Sequence, residues 1–372
     1  MTRQRLLAGT AALAALVQPA FAQDARIAEL ETRVAELENR PQLTFGTTGT
    51  EVSIYGFVRA EAFYDSDFQQ GDLTRTGRIG EAAFATDGAF DTSVRVSRFG
   101  IRSATETDIG TIGTQLEFDL FGSGGDDSGS PNLRLRHANV TIGDTWLVGQ
   151  FWTNFMPLSH YPRTSDFNGP VGITFARVPQ IRYSSGVGNL NYSFSVEESN
   201  GASSDPVFTA AADYNADNWS ARIAGLTGQV ASGGSTFSTN AITLSGSVQP
   251  WDGGVISATY VSGDGIGDYL IGGGDAVVGG SVNGADGYTL EIRQQLGERW
   301  NIGLAYGRED YDLATSTGTI DFTELETVHA NVFYNPTDRL TLGLEYIHGE
   351  RTTSAGTTFE ADRIGASVTF SF

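Results

Sequence analysis

The sequence is defined as much by what it lacks as by what it contains: no cysteine, no lysine and only two methionines in 372 residues. Without cysteine there is no disulfide, no thiolate metal ligand and no thioether-linked lipid anchor. Beyond residue 22, no stretch approaches the roughly 18 consecutive apolar residues of a transmembrane helix. All 23 basic residues are arginines, against 44 acidic residues, giving a net charge of −21. We therefore expect no nucleic acid among its partners.

The N terminus predicts an export signal. Arg3 and Arg5 precede an apolar stretch over residues 6–17, which is followed by the small-x-small sequence Ala20–Phe21–Ala22. This order of charged, apolar and small residues is that of a secretory signal peptide. We expect residues 1–22 to be cleaved and the mature chain to be exported.

Residues 23–41 carry the one convincing helical pattern. Apolar residues take heptad positions a and d, namely Ile27, Leu30, Val34 and Leu37. Arginines at g and glutamates at e would pair between parallel helices, so a short coiled coil is predicted, ending at Pro41. Two heptads are too short to associate alone, so the chains must also be held together elsewhere. A short amphipathic surface helix is the alternative.

The remainder, residues 42–372, alternates apolar and polar residues with a period of two. In "NLNYSFSVE", for example, the residues facing one way are apolar: Leu190, Tyr192, Phe194 and Val196. We predict sixteen strands joined by seven short turns and eight long loops, the long loops including 230–238, 309–322 and 349–361. Such alternation is typical of a closed antiparallel β-barrel, so the predicted fold is all-β. The phase slips at 93–102 and 133–142, which indicates β-bulges.

The last strand runs through to Phe372 with one apolar face, although chain ends usually fray. In a closed barrel this strand pairs with the first one and its apolar face meets lipid. Aromatic residues at strand ends would form the interfacial girdles: Tyr183, Tyr192, Tyr288, Trp300, Tyr306, Tyr346 and Phe372. A secreted β-sandwich or propeller is the alternative, but it does not explain why short turns alternate with long loops.

The segments "LRLRHANVTIG", "WLVGQFWTNFM", "SDFNGPVG" and "RVPQIRYSS", between residues 133 and 185, resemble those of the DcaP-like porins of Gram-negative outer membranes. The helical heptads ahead of the barrel also fit that subfamily. The resemblance implies a homotrimer in outer-membrane lipid, with the N-terminal helices bundled in the periplasm. It also implies a pore that favours small anionic solutes such as dicarboxylates.

Charged residues within the strands are the candidates for lining the pore. An arginine facing lipid near mid-membrane costs roughly 2–4 kcal/mol, so strand arginines should face the lumen. We expect the pore to be lined by Arg59, Arg95, Arg98, Arg134, Arg136, Arg177, Arg182, Glu117, Asp119, Glu291 and Arg293. Glu326 and Glu345 would add acidic groups on later strands, opposite the arginines, creating a transverse field. Alternatively, the arginines only pair with Glu61, Glu117 and Asp119 to satisfy a polar interior.

The loop at about 153–176 is too apolar to be fully solvated, with Phe155, Met156, Val171, Ile173 and Phe175 among its residues. We expect it to fold into the barrel and narrow the pore. The polar residues that would form this constriction are Asn154, Arg163, Ser165, Asp166 and Asn168. Contact with a neighbouring subunit is the alternative explanation of its apolar residues.

The sequence gives little support for catalysis. The four histidines show no metal-binding spacing such as HExxH, and no GxSxG nucleophile motif is present. No catalytic residue, metal ligand or cofactor is predicted. The alternative to a porin is an outer-membrane barrel enzyme of the lipase or protease type, which strand spacing alone does not distinguish.

Overall fold

The computed structural model describes residues 43–45, 49–122 and 131–372. The predicted signal peptide and coiled coil, residues 1–22 and 23–41, lie outside the described residues. The chain divides into two units, residues 1–44 and 45–372, of which the second contains the barrel. Leu43–Phe45 is a short strand. Among the described residues, no helix is long and apolar enough to cross a membrane.

Within the described residues the main sheet is an antiparallel barrel of sixteen strands, the second of which is interrupted. The strands are β1 (Thr50–Asp65), β2 (Ala89–Ser93 and Arg98–Thr107), β3 (Gly110–Asp119), β4 (Arg134–Ile142), β5 (Trp146–Trp152), β6 (Arg177–Val187), β7 (Leu190–Glu197), β8 (Val207–Asn215), β9 (Trp219–Ser232), β10 (Ser235–Val248), β11 (Gly254–Asp264), β12 (Gly284–Leu296), β13 (Trp300–Thr315), β14 (Phe322–Thr337), β15 (Leu340–Thr352) and β16 (Thr358–Ser371). The short helices are 3₁₀ turns at Thr76–Arg78, Ala82–Phe84, Leu158–His160 and Gly267–Tyr269. A small hairpin joins Val277–Val278 to Ser281–Val282.

Each barrel strand pairs with its sequence neighbour, and β1 closes the barrel on β16. The closing register runs from Phe57 opposite Ser371 to Asp65 opposite Arg363. Phe372 continues it, since its N–H donates to the carbonyl of Gly56 at 3.0 Å. The predicted fold and the predicted pairing of the last strand with the first are therefore confirmed.

The polarity of the two barrel faces is the reverse of that in a soluble protein. Large apolar side chains are exposed on the outside, among them Val58, Ile181, Phe194, Leu304 and Ile364. Charged and polar side chains are buried on the inside, among them Glu117, Arg136, Glu291, Glu345 and Arg363. A lipid-facing outer surface explains this pattern, because in lipid the apolar face needs no protein to cover it.

Long loops and short turns alternate along most of the barrel and define a loop side and a short-turn side, although one loop-side connection is itself a two-residue turn. Three of the predicted loops are wrong in extent. Gly233 and Gly234 alone join β9 to β10, with φ of +58° and +81°, so the two strands run through most of 230–238. Two glycines at positive φ form the tight hairpin turn that suits twisted strands. The strands also extend into 309–322 and 349–361, leaving connections at 316–321 and 353–357.

Both predicted irregularities of register are present. Strand β2 is interrupted between Ser93 and Arg98. Opposite β4, Glu117 pairs with His137 and Phe118 with Leu135, so Arg136 is the extra residue of a bulge. The bulge buries both Arg136 and His137 on the inner side of the strand, at 1% and 3% exposure. A bulge thus aims an arginine into the lumen.

Candidate functional site: a loop-constricted lumen

The loop 153–176, between β5 and β6, folds inside the barrel. Its apolar residues Phe155, Met156, Val171 and Ile173 are all less than 5% exposed. Together with the loop 265–283 it forms an internal core, in which Thr174 bridges Leu270 and the Phe175 N–H donates to the carbonyl of Tyr269 at 2.7 Å. The loop therefore packs within the barrel through its apolar residues.

Four buried carboxylates on the barrel wall hold this loop by its backbone. Asn154 N donates to Glu197 at 2.8 Å, and Arg163 N donates to Glu291 at 2.9 Å. Asp166 N donates to Glu345 at 2.6 Å, and Gly172 N donates to Glu309 at 2.9 Å. The four acids lie on β7, β12, β15 and β13 and are at most 2% exposed. These carboxylates thus accept loop N–H groups and are almost completely covered by the loop and the wall.

Glycines on the wall allow the loop to approach closely. A Cβ added at Gly307 would overlap the carbonyl oxygen of Val171, and one at Gly287 would lie 2.7 Å from the carbonyl oxygen of Gly172. Both glycines lie on the inner face of neighbouring strands, β13 and β12. Only a residue without a side chain leaves room for the loop backbone at these positions.

An arginine cluster lies on the wall formed by β2–β4. Arg134 binds Asp119 with two hydrogen bonds, of 2.9 and 2.6 Å. Arg136 bridges Glu117 at 2.8 Å and Asp119 at 3.0 Å. Arg98 is 3.5 Å from Glu117. Paired arginines are therefore part of the site, and the bidentate contact of Arg134 and the bridging contacts of Arg136 hold these two in place.

Arg177, at the start of β6, differs from these three because it contacts aromatic rings. Its guanidinium lies 4.7 Å from the Trp152 ring centroid and 5.5 Å from that of Phe175. Arg136 also lies over the Trp152 ring, at 5.5 Å. Among the described residues no carboxylate pairs with Arg177, and its buried Nη1 has no hydrogen-bond partner. The cluster therefore brings four guanidinium groups together with two carboxylates.

The other predicted pore residues lie on the inner face, and of these Arg95 adjoins the cluster, because it and Arg134 lie over the same Phe121 ring, at 4.5 and 5.0 Å. Arg59 pairs with Glu61 at 2.7 Å and donates to Ser165 of the loop. Arg95 is buried against Asp72 at 3.0 Å. Arg182 donates to Gln180 at 2.9 Å and to the carbonyl of Trp152 at 2.5 Å. Arg293 lies 3.7 Å from Glu291. Arg59 therefore binds the loop, whereas Arg95 binds a buried carboxylate and Arg182 a backbone carbonyl at the end of β5.

The predicted constriction residues use their backbone groups at least as much as their side chains. The Arg163 guanidinium lies 4.7 Å from the Phe333 ring centroid. Burial lowers the pKa of Arg163, and the nearby charge of Arg293 lowers it further. The Asp166 carboxylate accepts the N–H of Thr74 at 3.1 Å, and Asn168 Nδ2 donates to the Thr74 carbonyl at 2.9 Å. The side chains of Asp166 and Asn168 thus connect this loop to the first long loop.

Two charged residues contradict the rule that strand charges face the lumen. Arg308 and Glu326 lie on the outer face, at the loop-side end of their strands, and pair at 2.9 Å. Arg308 also pairs with Asp310 at 2.7 Å and Glu324 at 2.8 Å. The cost of lipid exposure falls near the interface, so a paired charge is tolerated there. The predicted contribution of Glu326 to an acidic pore wall is therefore wrong, and Glu345 binds the loop instead.

Sequence reasoning did not identify Arg222 and Asp213, which pair at 2.5 Å on the inner face of β9 and β8. The signal was available, because the outward Ile223 fixes the neighbouring Arg222 as inward in a period-two strand. Glu197 and Glu309 were missed for a different reason. Their partners are backbone N–H groups of a distant loop, which sequence patterns do not identify.

His160, which contacts two serines, is arranged unlike the histidine of a hydrolase. His160 contacts Ser245 Oγ at 2.7 Å through Nδ1 and Ser220 Oγ at 2.8 Å through Nε2. With both ring nitrogens on serines, no carboxylate orients the imidazole as a hydrolase would require. Burial lowers the pKa of His160, an effect that Asp213 opposes and Arg222 reinforces. Among the described residues, no group of three or more acidic or histidine side chains is arranged to hold a metal.

Comparison with known proteins agrees with this architecture. A family model described as DcaP outer membrane protein matches residues 31–202. The outer membrane channel DcaP of Acinetobacter baumannii is 25% identical, with a TM-score of 0.78, over 88% of this chain and 99% of that one. No curated protein matches the sequence.

Two more distant outer-membrane proteins share the fold. The anion-selective porin from Comamonas acidovorans is 15% identical, with a TM-score of 0.60, over 87% of this chain and all of that one. OmpT of Vibrio cholerae, in its trimer form, is 15% identical, with a TM-score of 0.61, over 87% of this chain and 99% of that one. The resemblance to the DcaP-like porins is thereby confirmed, and the chain has the fold of an outer-membrane porin.

Proposed function

We propose that this chain is a diffusion channel for small hydrophilic solutes that prefers anions of the dicarboxylate type. The observation that carries the proposal is the charge count of the arginine cluster. Arg98, Arg134, Arg136 and Arg177 surround only two carboxylates, Glu117 and Asp119. The cluster therefore keeps excess positive charge beside the loop that narrows the lumen, although the chain as a whole carries −21.

The acids of the opposite wall do not offset this excess. Glu197, Glu291, Glu309 and Glu345 bind loop N–H groups and are almost completely buried. A permeating ion thus meets guanidinium groups more readily than carboxylates. The sequence predicted a field between basic early strands and acidic later strands. We propose instead that the acids of the later strands mainly bind the backbone of the loop.

The expected attraction is moderate, as conduction requires. With an effective dielectric constant of about 20, a charge pair at about 4 Å is worth roughly 4 kcal/mol before desolvation is subtracted. A solute carboxylate would be attracted and still able to leave. Arginine suits this role because its planar fork matches a carboxylate.

We also propose that the protein is a homotrimer in the outer membrane, with residues 1–22 removed and residues 23–41 in the periplasm. The support is the heptad pattern together with the trimer form of OmpT from Vibrio cholerae among the similar structures. The name of the Comamonas acidovorans porin records anion selectivity for that protein, which supports the same selectivity here.

Planar-bilayer recording of the refolded protein tests the proposal. We expect steady conductance in steps of three, a reversal potential in a KCl gradient that shows anion preference, and block of the current by succinate. Cation preference would contradict the proposed selectivity. Absence of conductance together with lipase or protease activity would support the barrel enzyme instead.

A further inference from the structure

A cavity of about 830 Å³ lies inside the barrel, between the loop 153–176 and the short-turn side. Its lining comes from β5–β9 and the start of the loop, and includes Trp152, Asn154, Arg182, Ser193, Asp213 and Arg222. Asp144 and Thr145 of a short turn also line it, so it faces that opening of the barrel. None of the four cluster arginines lines it, although the Trp152 ring, which contacts Arg136 and Arg177, does.

Asn154 holds a hydrogen-bond donor in this cavity that no described residue satisfies. The residue is 1% exposed, and its Oδ1 accepts the hydroxyl of Ser193 at 2.8 Å. Arg222 Nη2 also donates to Oδ1, at 3.4 Å, and because a guanidinium can only donate, the other amide atom, Nδ2, is the donor. Nδ2 has no partner among the described residues. The Nε of Arg222 is likewise buried without a partner among the described residues. Two buried donors without acceptors are costly in a protein interior unless a ligand or water satisfies them.

Both arginines of the cavity are held in place by the same stretch of backbone. Arg182 Nη2 donates to the carbonyl of Trp152 and Arg222 Nη2 to that of Asn154, both at 2.5 Å. Arg182 has no carboxylate partner among the described residues, since its Nε donates to the neutral Gln180. Among the described residues, Asp213 pairs only with Arg222. The cavity lining therefore contains two fixed guanidinium groups and two carboxylates, Asp213 beside Arg222 and the exposed Asp144 of the short turn.

We infer that this cavity is a second anion subsite, which binds one carboxylate group of a solute on the short-turn side of the constriction. The inference rests on the proposed function. The solute oxygens would accept from Asn154 Nδ2, Arg222 Nε and the remaining Nη1 of Arg182. Asp213 offsets the charge of Arg222 and disfavours a dianionic group such as phosphate, whereas the guanidinium of Arg182, which has no carboxylate partner among the described residues, suits a single carboxylate.

The test is the concentration dependence of current block by succinate added from the short-turn side, with protein inserted from one chamber. Arg222→Gln should weaken the block about tenfold, the equivalent of one charged hydrogen bond. Asp213→Asn should strengthen it, because Arg222 loses its competing partner. Arg182→Gln should weaken the block as Arg222→Gln does. If Arg222→Gln does not fold, Arg182→Gln tests the subsite in its place.

Arg102→Gln is the matched control. Arg102 is also a strand arginine on the inner face, but it lies over the Tyr55 ring at 4.2 Å and does not line the cavity. Its replacement should change the block less than twofold. Equal block in the parent, Asp213→Asn and the arginine variants would mean that the Arg222–Asp213 pair is only structural. That result would leave anion preference in the parent intact, whereas a parent without anion preference would contradict the proposed function itself.

Discussion

Glu309 on β13 accepts the backbone N–H of Gly172 at 2.9 Å, and the same oxygen accepts the N–H of Gly272 at 2.9 Å. The other oxygen accepts the hydroxyl of Tyr311 at 2.7 Å. One fully buried carboxylate thus fastens both inward loops, 153–176 and 265–283, to the barrel wall. The lumen has its shape because the wall supplies acceptors for loop backbone that would otherwise lack them.

Replacing Glu309 by alanine should loosen both loops. The change leaves three buried donors without acceptors, each at a cost of about 1–3 kcal/mol. We expect a noisier open-channel current and a lower temperature of heat denaturation, measured by electrophoretic mobility. Glu309→Gln keeps one acceptor oxygen and should fall between alanine and the parent. An alanine variant with parental noise and stability would show that the loops are held by their apolar core alone.

A methyl group at Gly307 should displace the loop. Since the added Cβ would overlap the carbonyl oxygen of Val171, Gly307→Ala should change single-channel conductance measurably while the barrel still forms. Gly225→Ala is the control, because its Cβ would meet only the Ala241 carbonyl oxygen, at 3.8 Å. If both variants conducted like the parent, the loop would be able to move away from the added methyl group without changing the pore.

The sequence predicted the barrel because strand alternation is local and repeated. The period-two pattern directly predicts that Phe194 faces outward and that Glu197 faces inward. What Glu197 does could not be predicted, since its partner is the N–H of Asn154 in a loop between other strands. For Arg308 and Glu326 the period-two pattern holds, since the outward Leu304 and the inward Thr327 place both residues outward. What failed is the rule that strand charges face the lumen, because three acids pair with one arginine near the interface.

Removing residues 24–40 should leave trimers that melt at a lower temperature. The heptads are too short to associate alone, so we propose that barrel contacts supply most of the association. The measurement is heat-modifiable mobility of the deletion variant against the parent. A deletion variant found only as monomers would show instead that the N-terminal helices are the main source of association.

Substitutions of Arg177 and Arg136 should affect ion selectivity alike but protein stability differently. Arg177 contacts rings and has no carboxylate partner among the described residues, so Arg177→Gln should shift the reversal potential towards cations with little loss of stability. Arg136 bridges two buried carboxylates, and removing one partner of such a network costs roughly 3–5 kcal/mol. Arg136→Gln should therefore also lower the denaturation temperature. The selectivity shift should weaken as salt rises, because screening shortens to about 8 Å near physiological ionic strength. An unchanged reversal potential in both variants would assign these arginines a purely structural role.

Phe372 should be required for efficient assembly. Its N–H donates to the Gly56 carbonyl at 3.0 Å, and its carbonyl accepts the Gly56 N–H at 3.3 Å, so it forms the last rung of the β1–β16 closure. Its ring is 41% exposed on the outer surface, where an aromatic residue suits the membrane interface. Deleting Phe372 removes both hydrogen bonds and the ring, and should sharply lower the folded yield in the outer membrane. Phe372→Tyr keeps the ring and the backbone groups and should fold like the parent. Equal folded yield for the deletion and the parent would show that the barrel closes without this residue, because the register from Phe57 to Asp65 would then suffice.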